Sequence, residues 1–215
     1  MAAHAILPFM IAIIDYGAGN LRSVAKAFER LGYRTVVTNE AKPILEAPAV
    51  VLPGVGAASN TMRSLKALGL VEPIKEAIAA GKPFFGVCLG LQVLLDGSEE
   101  GGWQDCLGII PGVVRRLPEG MKVPHMGWNQ VTQTASLALF EGIPDGSFFY
   151  FVHSYYVDPV DRQAVAGTTD YGITFSSVVA KGNIVATQFH PEKSGTVGLR
   201  LYDNFARWAL GERHI

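Results

Sequence analysis

Between residues 10 and 95 the chain alternates short, wholly apolar runs with longer stretches of helical spacing, and few folds accommodate that alternation. MIAIID (10–15), RTVVT (34–38), AVVLP (49–53) and KPFFGV (82–87) have strand length. Runs that are continuously apolar rather than alternating fit strands covered on both faces of a parallel sheet. Between the first two, Leu21, Val24, Ala25, Phe28 and Leu31 fall at helical intervals, and Gly32 follows as a C-cap. A second helical stretch runs from about Ala57 to Ala80, broken near Gly69 and Pro73, and LQVLL (91–95) begins another helix. Strand and helix in turn predict an α/β fold, a mostly parallel open sheet with helices on both faces.

The second half changes character. GIIPGVVRRL (108–117), GWNQVTQ (127–133), SFFYFV (147–152), SYYVD (154–158) and ITFSSVVA (173–180) are short strand candidates with few helices among them. VVAKGNIVATQF (178–189) reads as a hairpin about Lys181-Gly182-Asn183. A final amphipathic helix carries Leu201, Phe205 and Trp208 on one face, with Ser194 or Thr196 as its N-cap. These pieces add an antiparallel portion to the parallel core, with no repeat or linker between them.

Bulk properties exclude several function classes. A chain of 215 residues, 49% hydrophobic and 17% charged, has enough apolar material for one sizeable core. A net charge of -1 gives no basic footprint for nucleic acid or an anionic membrane. Two cysteines neither staple a chain this long nor form a metal-ligand spacing, which fits a reducing compartment. The opening MAAHAILPFMIAII has no Lys or Arg before its apolar part, Pro8 interrupts it and Asp15 ends it, so a targeting segment is not expected. Its apolar run is about ten residues, too short to cross a bilayer. A soluble, cytoplasmic protein is the expectation.

Gly86-Val87-Cys88-Leu89-Gly90 has the form of a nucleophile elbow with cysteine at its centre. In such a turn the residues two before and two after the nucleophile nearly touch, so both must lack a Cβ, and the central backbone is strained. The turn would also set the sulfur at a helix N-terminus, where the macrodipole favours thiolate. Cysteine is equally a common core residue, and the pentapeptide alone fits a buried thiol in a glycine turn as well. Cys106, without glycine flanks, reads as core.

A cysteine nucleophile requires a base, and the base an orienting group. Among five histidines, His4 and His214 lie near the chain ends, while His125 and His153 sit among apolar residues as packing or interface groups. His190 stands at a strand end before Pro191 and Glu192; in extended chain, Glu192 would share its side and orient its imidazole. Taken alone, His190 and Glu192 also fit a solvated loop. Pro53-Gly54-Val55-Gly56 before a helix bares backbone N–H groups toward negative charge. The lysine and hydroxyl of a phosphate loop are missing, so an oxyanion hole completed by the Leu89 N–H fits better. The turn Asp15–Asn20 lacks the third glycine of a dinucleotide site.

In this order, PGVG, GVCLGLQVLL and QFHPEKS resemble the class I (triad) glutamine amidotransferases. IIDYGAGNLRSV, KVPHMGWN, YFVHSYY and HPEKS narrow the resemblance to the glutaminase subunits of imidazole glycerol phosphate synthases, from Met10 onward. The resemblance implies one amidotransferase domain over 10–215, with 1–9 a poorly ordered extension. It implies hydrolysis of L-glutamine to glutamate and ammonia: Cys88 attacks, His190 moves the proton, Glu192 orients His190, and Gly54, Val55, Gly56 and Leu89 form the oxyanion hole. Gln92 and the backbone at Ser154 and Tyr155 match substrate contacts. Asn20, Tyr150 and Lys193 match positions facing a separate (β/α)8 cyclase, the implied partner, which uses the ammonia in histidine biosynthesis. Neither cofactor nor metal is implied. Val55, between two glycines, allows a peptide flip, so the hole is expected to be incomplete until the cyclase docks. A triad amidotransferase of another synthase, a γ-glutamyl hydrolase and an inactive scaffold are the alternatives. The stretches 122–129 and 150–156 weigh against the first two, and the intact Cys88, His190 and Glu192 against the last.

Overall fold

A computed structural model of the chain describes residues 9–212. His4, His214 and all of the expected extension except Phe9 lie outside the described residues; Phe9 stands edge-on to Tyr33, ring centroids 6.2 Å apart. The first half runs β1 (Met10–Ile14), α1 (Leu21–Arg30), β2 (Arg34–Thr38), α2 (Ala41–Glu46), β3 (Ala49–Gly54), α3 (Ala58–Ala67), α4 (Val71–Ala79), β4 (Phe84–Cys88) and α5 (Leu89–Gln92). The second half contains β5 (Leu95–Ser98), β6 (Gln104–Asp105), β7 (Ile110–Arg116), β8 (His125–Gln130), β9 (Thr132–Gln133) and β10 (Phe148–His153). It closes with β11 (Tyr155–Pro159), β12 (Val165–Asp170), β13 (Thr174–Lys181), β14 (Ile184–Thr187) and α6 (Gly195–Ala209).

The main sheet has the order β2-β1-β3-β4-β14-β13-β11-β7-β5-β6, with β12 and β9 paired beside β13. The five strands from β2 to β14 are mutually parallel, and antiparallel pairing begins at β13. β8 and β10 form a separate antiparallel pair. Successive strand residues point to opposite faces, which explains why the buried runs are apolar throughout. Ile11, Ile13, Val51, Phe85 and Val185 pack on one side with Val24 and Phe28 of α1 and Tyr202 and Phe205 of α6. Ile14, Val50, Leu52, Phe84 and Ala186 pack on the other with Met62 and Leu65 of α3 and Ile74 of α4.

The α3–α4 break falls at Gly69, whose φ of +66° a residue with a Cβ rarely adopts, whereas Pro73 lies inside the first turn of α4, where its missing N–H has no role. The Gly182-Asn183 turn joins β13 and β14, and the Asn183 amide ties it to the Ile78 and Lys82 carbonyls at 2.9 and 2.6 Å. The expected helix over 91–95 is a single turn, Leu89–Gln92. Val93, Leu94 and Leu95 are all fully buried, and Leu95 pairs with Ile110, so strand burial on two sides produced the apolar run that resembled a helix start.

Three parallel strands deliver the site. β3 and β4 end side by side, Gly54 beside Cys88, and β14 pairs with β4 up to Thr187, one turn of chain before His190. Carboxyl ends of neighbouring parallel strands are where open α/β sheets form crevices. The close approach there depends on absent side chains. A Cβ on Gly90 would stand 1.8 Å from the Leu52 carbonyl oxygen, while one on Gly32 would meet nothing within 4 Å. Gly90→Ala should therefore destabilise the fold by about 4 kcal/mol. Gly32→Ala, penalised only by its positive φ, should cost about 1 kcal/mol. Equal denaturation midpoints for the two variants would contradict this packing.

Candidate active site

Cys88 has φ +54° and ψ -103°, a conformation that only the surrounding packing keeps a non-glycine residue in. A Cβ on Gly86 would lie 2.9 Å from the Gly90 oxygen and 3.1 Å from Ala186, so the elbow closes only with both glycines bare. Gly54 is equally confined, its hypothetical Cβ lying 2.8 Å from that of Leu89 and 3.2 Å from the Gly90 nitrogen. The Leu89 N–H heads the single turn of α5, so helix geometry leaves it without an intrahelical acceptor. Four residues make no macrodipole of consequence, so the expected dipole of a helix behind the sulfur is replaced by local N–H groups.

His190 is 1% exposed, and its Nδ1 lies 2.8 Å from Glu192 Oε1. The two meet in a way the sequence did not predict. Instead of extended chain, Pro191–Lys193 forms a 3-10 turn, with the Lys193 N–H donating to the His190 carbonyl at 3.0 Å. Proline opens that turn because its φ is preset and its missing N–H is not needed there. Glu192 is clamped on both oxygens: Asn20 Nδ2 and His190 share Oε1, and the Tyr202 hydroxyl donates to Oε2 at 3.1 Å. The resemblance put Asn20 at a partner interface; in the structure its amide reaches the Glu192 carboxylate.

With Nδ1 taken by Glu192, the buried Nε2 of His190 is left for the Cys88 side chain. Burial is the largest influence on the ring and pushes its pKa down. The charge of Cys88 and its contact with the ring, followed by the hydrogen bond and charge of Glu192, reverse this, and the pKa is pushed up to about 10. Burial likewise pushes the Glu192 carboxyl up, but the hydrogen bond and charge of His190 and the Tyr202 hydroxyl hold it below the usual carboxylate range. A protonated imidazole between a sulfur and a carboxylate is the charge arrangement of a thiol nucleophile with its acid–base partner.

The sulfur faces a recess of about 330 Å³ lined by Val55, Gly56, Leu89, Gln92, Ser154 and Tyr155 among others. Six of the expected oxyanion and substrate residues thus meet around Cys88 besides Gly54, which lies against Leu89. Gln92 Nε2 donates to the Tyr155 carbonyl at 2.9 Å and to Gln188 Oε1 at 3.2 Å, and Gln188 Nε2 reaches Cys88 Sγ at 3.6 Å. Tyr150 and Lys193 lie apart from the recess, the ammonium 5.7 Å from the ring centroid. Gln188, Glu100 and Tyr202 escaped the sequence reading. Glu100 lines the recess and accepts the Ala58 N–H at 2.9 Å, but in SEEGG it resembles an ordinary turn acid. Gln188, a polar residue two before His190 and so on its side of an extended chain, carried a readable signal. Cys106 is half-buried, and burial pushes its thiol up to about 11. Among the described residues, no three His, Cys, Asp or Glu side chains are grouped to hold a metal, and no helix is long and apolar enough to cross a membrane.

The sequence profile of Glutamine amidotransferase class-I matches residues 12–208. The imidazole glycerol phosphate synthase subunit HisH of a Dehalococcoides mccartyi strain is 56% identical over 95% of this chain and 100% of its own length. The subunit of that name from Chloroflexus aurantiacus is 53% identical over 93% of this chain and 96% of its own. A crystal structure of a glutamine amidotransferase superposes with a TM-score of 0.73 at 20% identity, covering 92% of this chain and 98% of that one. The structure of PurLQS from Thermotoga maritima gives 0.74 at 16% identity, over 94% and 99% of the two chains. At that identity the superpositions speak for the fold.

The electrostatics make a prediction of their own. Cys88→Ala removes the charge that holds the proton on His190 while leaving burial in place. Titration followed by imidazole NMR should put His190 below its value of about 10; an unmoved titration would mean that Cys88 exerts no pull on the ring.

Proposed function

The chain belongs to the class I glutamine amidotransferase family, and from that premise we propose that it hydrolyses L-glutamine and hands the ammonia to a cyclase as part of an imidazole glycerol phosphate synthase. The observation that carries the reaction is the buried His190–Glu192 pair beside a strained Cys88 at the mouth of an amino-acid-sized recess. The relatives over 50% identical across nearly the whole chain support the assignment to that synthase.

In the proposed cycle the Cys88 sulfur, its proton held on His190, attacks the side-chain amide carbon of glutamine. The oxygen gains the negative charge and meets N–H groups of Leu89 and of the Gly54–Gly56 loop. His190 returns the proton to nitrogen, the C–N bond breaks, ammonia leaves, and a glutamyl thioester remains. His190 then takes a proton from water, hydroxide adds to the thioester, and glutamate departs as the sulfur is regenerated. Glu192 orients the ring and stabilises its charge throughout. Gln92, Ser154 and Tyr155 hold the amino-acid end of the substrate.

The partner's docking site in this reading is the outer face of β8 and β10. Met126, Trp128 and Phe148 are 61%, 55% and 51% exposed there. Tyr150, edge-on to Trp128 at 6.1 Å, and Lys193 extend that surface. An exposed apolar face of this kind marks an interaction site, and Val152 of the same strand lines the recess, so docking would reach the chemistry. Val55, 37% exposed at the recess rim, is the peptide whose reorientation would complete the oxyanion hole on docking.

Two substitutions test the assignment in the reconstituted complex. Cys88→Ala should abolish glutamine-dependent synthesis and spare synthesis from added ammonia; loss of both would make Cys88 structural. Glu192→Gln, which keeps the shape but not the charge, should lower glutaminase kcat on the order of a thousandfold. A loss under tenfold would remove Glu192 from the mechanism.

A further inference from the structure

Two histidines that the mechanism leaves idle are hydrogen-bonded in series behind the recess. His153 is 6% exposed and His125 3%. His153 Nδ1 lies 2.9 Å from the Tyr155 carbonyl oxygen, His153 Nε2 lies 2.9 Å from His125 Nδ1, and His125 Nε2 lies 3.3 Å from Asn129 Nδ2. They face each other across the β8–β10 pair, and their cross-strand register fixes the contact.

The chemistry of the two ends determines every proton between them. A carbonyl oxygen only accepts, so His153 Nδ1 carries hydrogen. In a neutral ring Nε2 is then an acceptor, and His125 Nδ1 must donate to it. His125 Nε2 is left as an acceptor, which the Asn129 amide satisfies. The orientation of Asn129 is set independently, because its Nδ2 also donates to the Asp170 carbonyl and its Oδ1 accepts the Gln130 N–H. Burial holds both rings neutral, with pKa values down to about 4 for His125 and about 3 for His153.

The relay ends on the carbonyl that also receives Gln92. The two Gln92 amide hydrogens are engaged by Tyr155 and Gln188, so the polar atom it can present to the recess is its oxygen. We propose that His125 and His153 are positioning residues: a one-way relay of neutral imidazoles that fixes the Tyr155 carbonyl, and through it the Gln92 amide, so that the recess meets glutamine with its contacts preset. The substrate named here rests on the function proposed above. His153 lines the recess with both nitrogens occupied, so it holds the binding segment without contacting the reacting atoms through a free nitrogen.

The test compares the wild-type complex with His125→Phe and His125→Asn. Phenylalanine keeps the stacking on Tyr171 and Phe151, whose ring centroids lie 4.0 and 4.9 Å away, but donates nothing. Asparagine brings an N–H to the place of Nδ1. His125→Phe should raise KM for glutamine about tenfold with kcat within about twofold, the loss expected from one buried hydrogen bond. His125→Asn should restore KM to within about threefold of wild type. An unchanged KM in His125→Phe, or equal impairment in both variants, overturns the relay. A wild-type complex without glutaminase activity sinks the functional reading instead. The relay is then read by ¹⁵N NMR of the free chain at neutral pH, where both rings should be neutral with hydrogen on Nδ1. Either ring charged, or protonated on Nε2 alone, refutes it.

Discussion

A carboxylate with no exposed surface must be held by donors, and the donors to Glu192 come from three parts of the chain. His190 follows β14, Asn20 precedes α1, and Tyr202 lies within α6. Burying an anion costs several kcal/mol unless its lone pairs are met. The cost is offset only when α1 and α6 lie together beneath the end of β14. Tyr202 shows how closely the charge and the core are joined: its ring packs on Phe28 at 4.5 Å and Phe85 at 5.5 Å, while its hydroxyl serves the carboxylate. The helix packing that stabilises one face of the sheet therefore also sets the orientation of the imidazole.

The elbow imposes the complementary constraint from the sheet itself. Cys88 keeps its unfavourable backbone because β3 and β14 flank β4 on both sides and leave the turn no room to relax. The same crowding brings Gly54 against Leu89 and so gathers the oxyanion candidates. Strain of about 1–3 kcal/mol at one residue is small against a sheet of this size. What it secures is placement: the short Cys88 side chain stands at the recess on backbone held between two strands.

Much of this was legible in the sequence because it follows from local rules. β2 and the start of α1 fall at the expected residues, and Gly32, Gly69 and the Gly182 turn act where the backbone needs positive φ. Two elements were misread for identifiable reasons. Residues 93–95 are buried on every side, and total burial erases the periodicity that separates a strand from a helix. The His190–Glu192 contact was expected for the right pair from extended chain throughout; His190 is extended, but the chain turns into a 3-10 turn at Pro191, and the carboxylate reaches the ring from that turn. The Asn20, Gln188, Glu100 and Tyr202 contacts join residues far apart in sequence or hidden in ordinary patterns. No spacing rule links Asn20 to Glu192 across 172 positions.

The three described histidines show that burial alone decides neither charge nor role. All are under 7% exposed. His190 meets a carboxylate and a sulfur, and its pKa rises; His125 and His153 meet each other, an amide and a carbonyl, and theirs fall. The contrast is mutually reinforcing, since the positive charge of His190 and any charge on His125 both disfavour a proton on His153. A second charged ring beside the recess would compete with His190 for the field of the sulfur and turn an acceptor of the relay into a donor facing a donor. Keeping two imidazoles neutral thus favours the charge on the third, and the fold meets this by bonding Glu192 to His190 while His125 and His153 bond each other, a carbonyl and an amide.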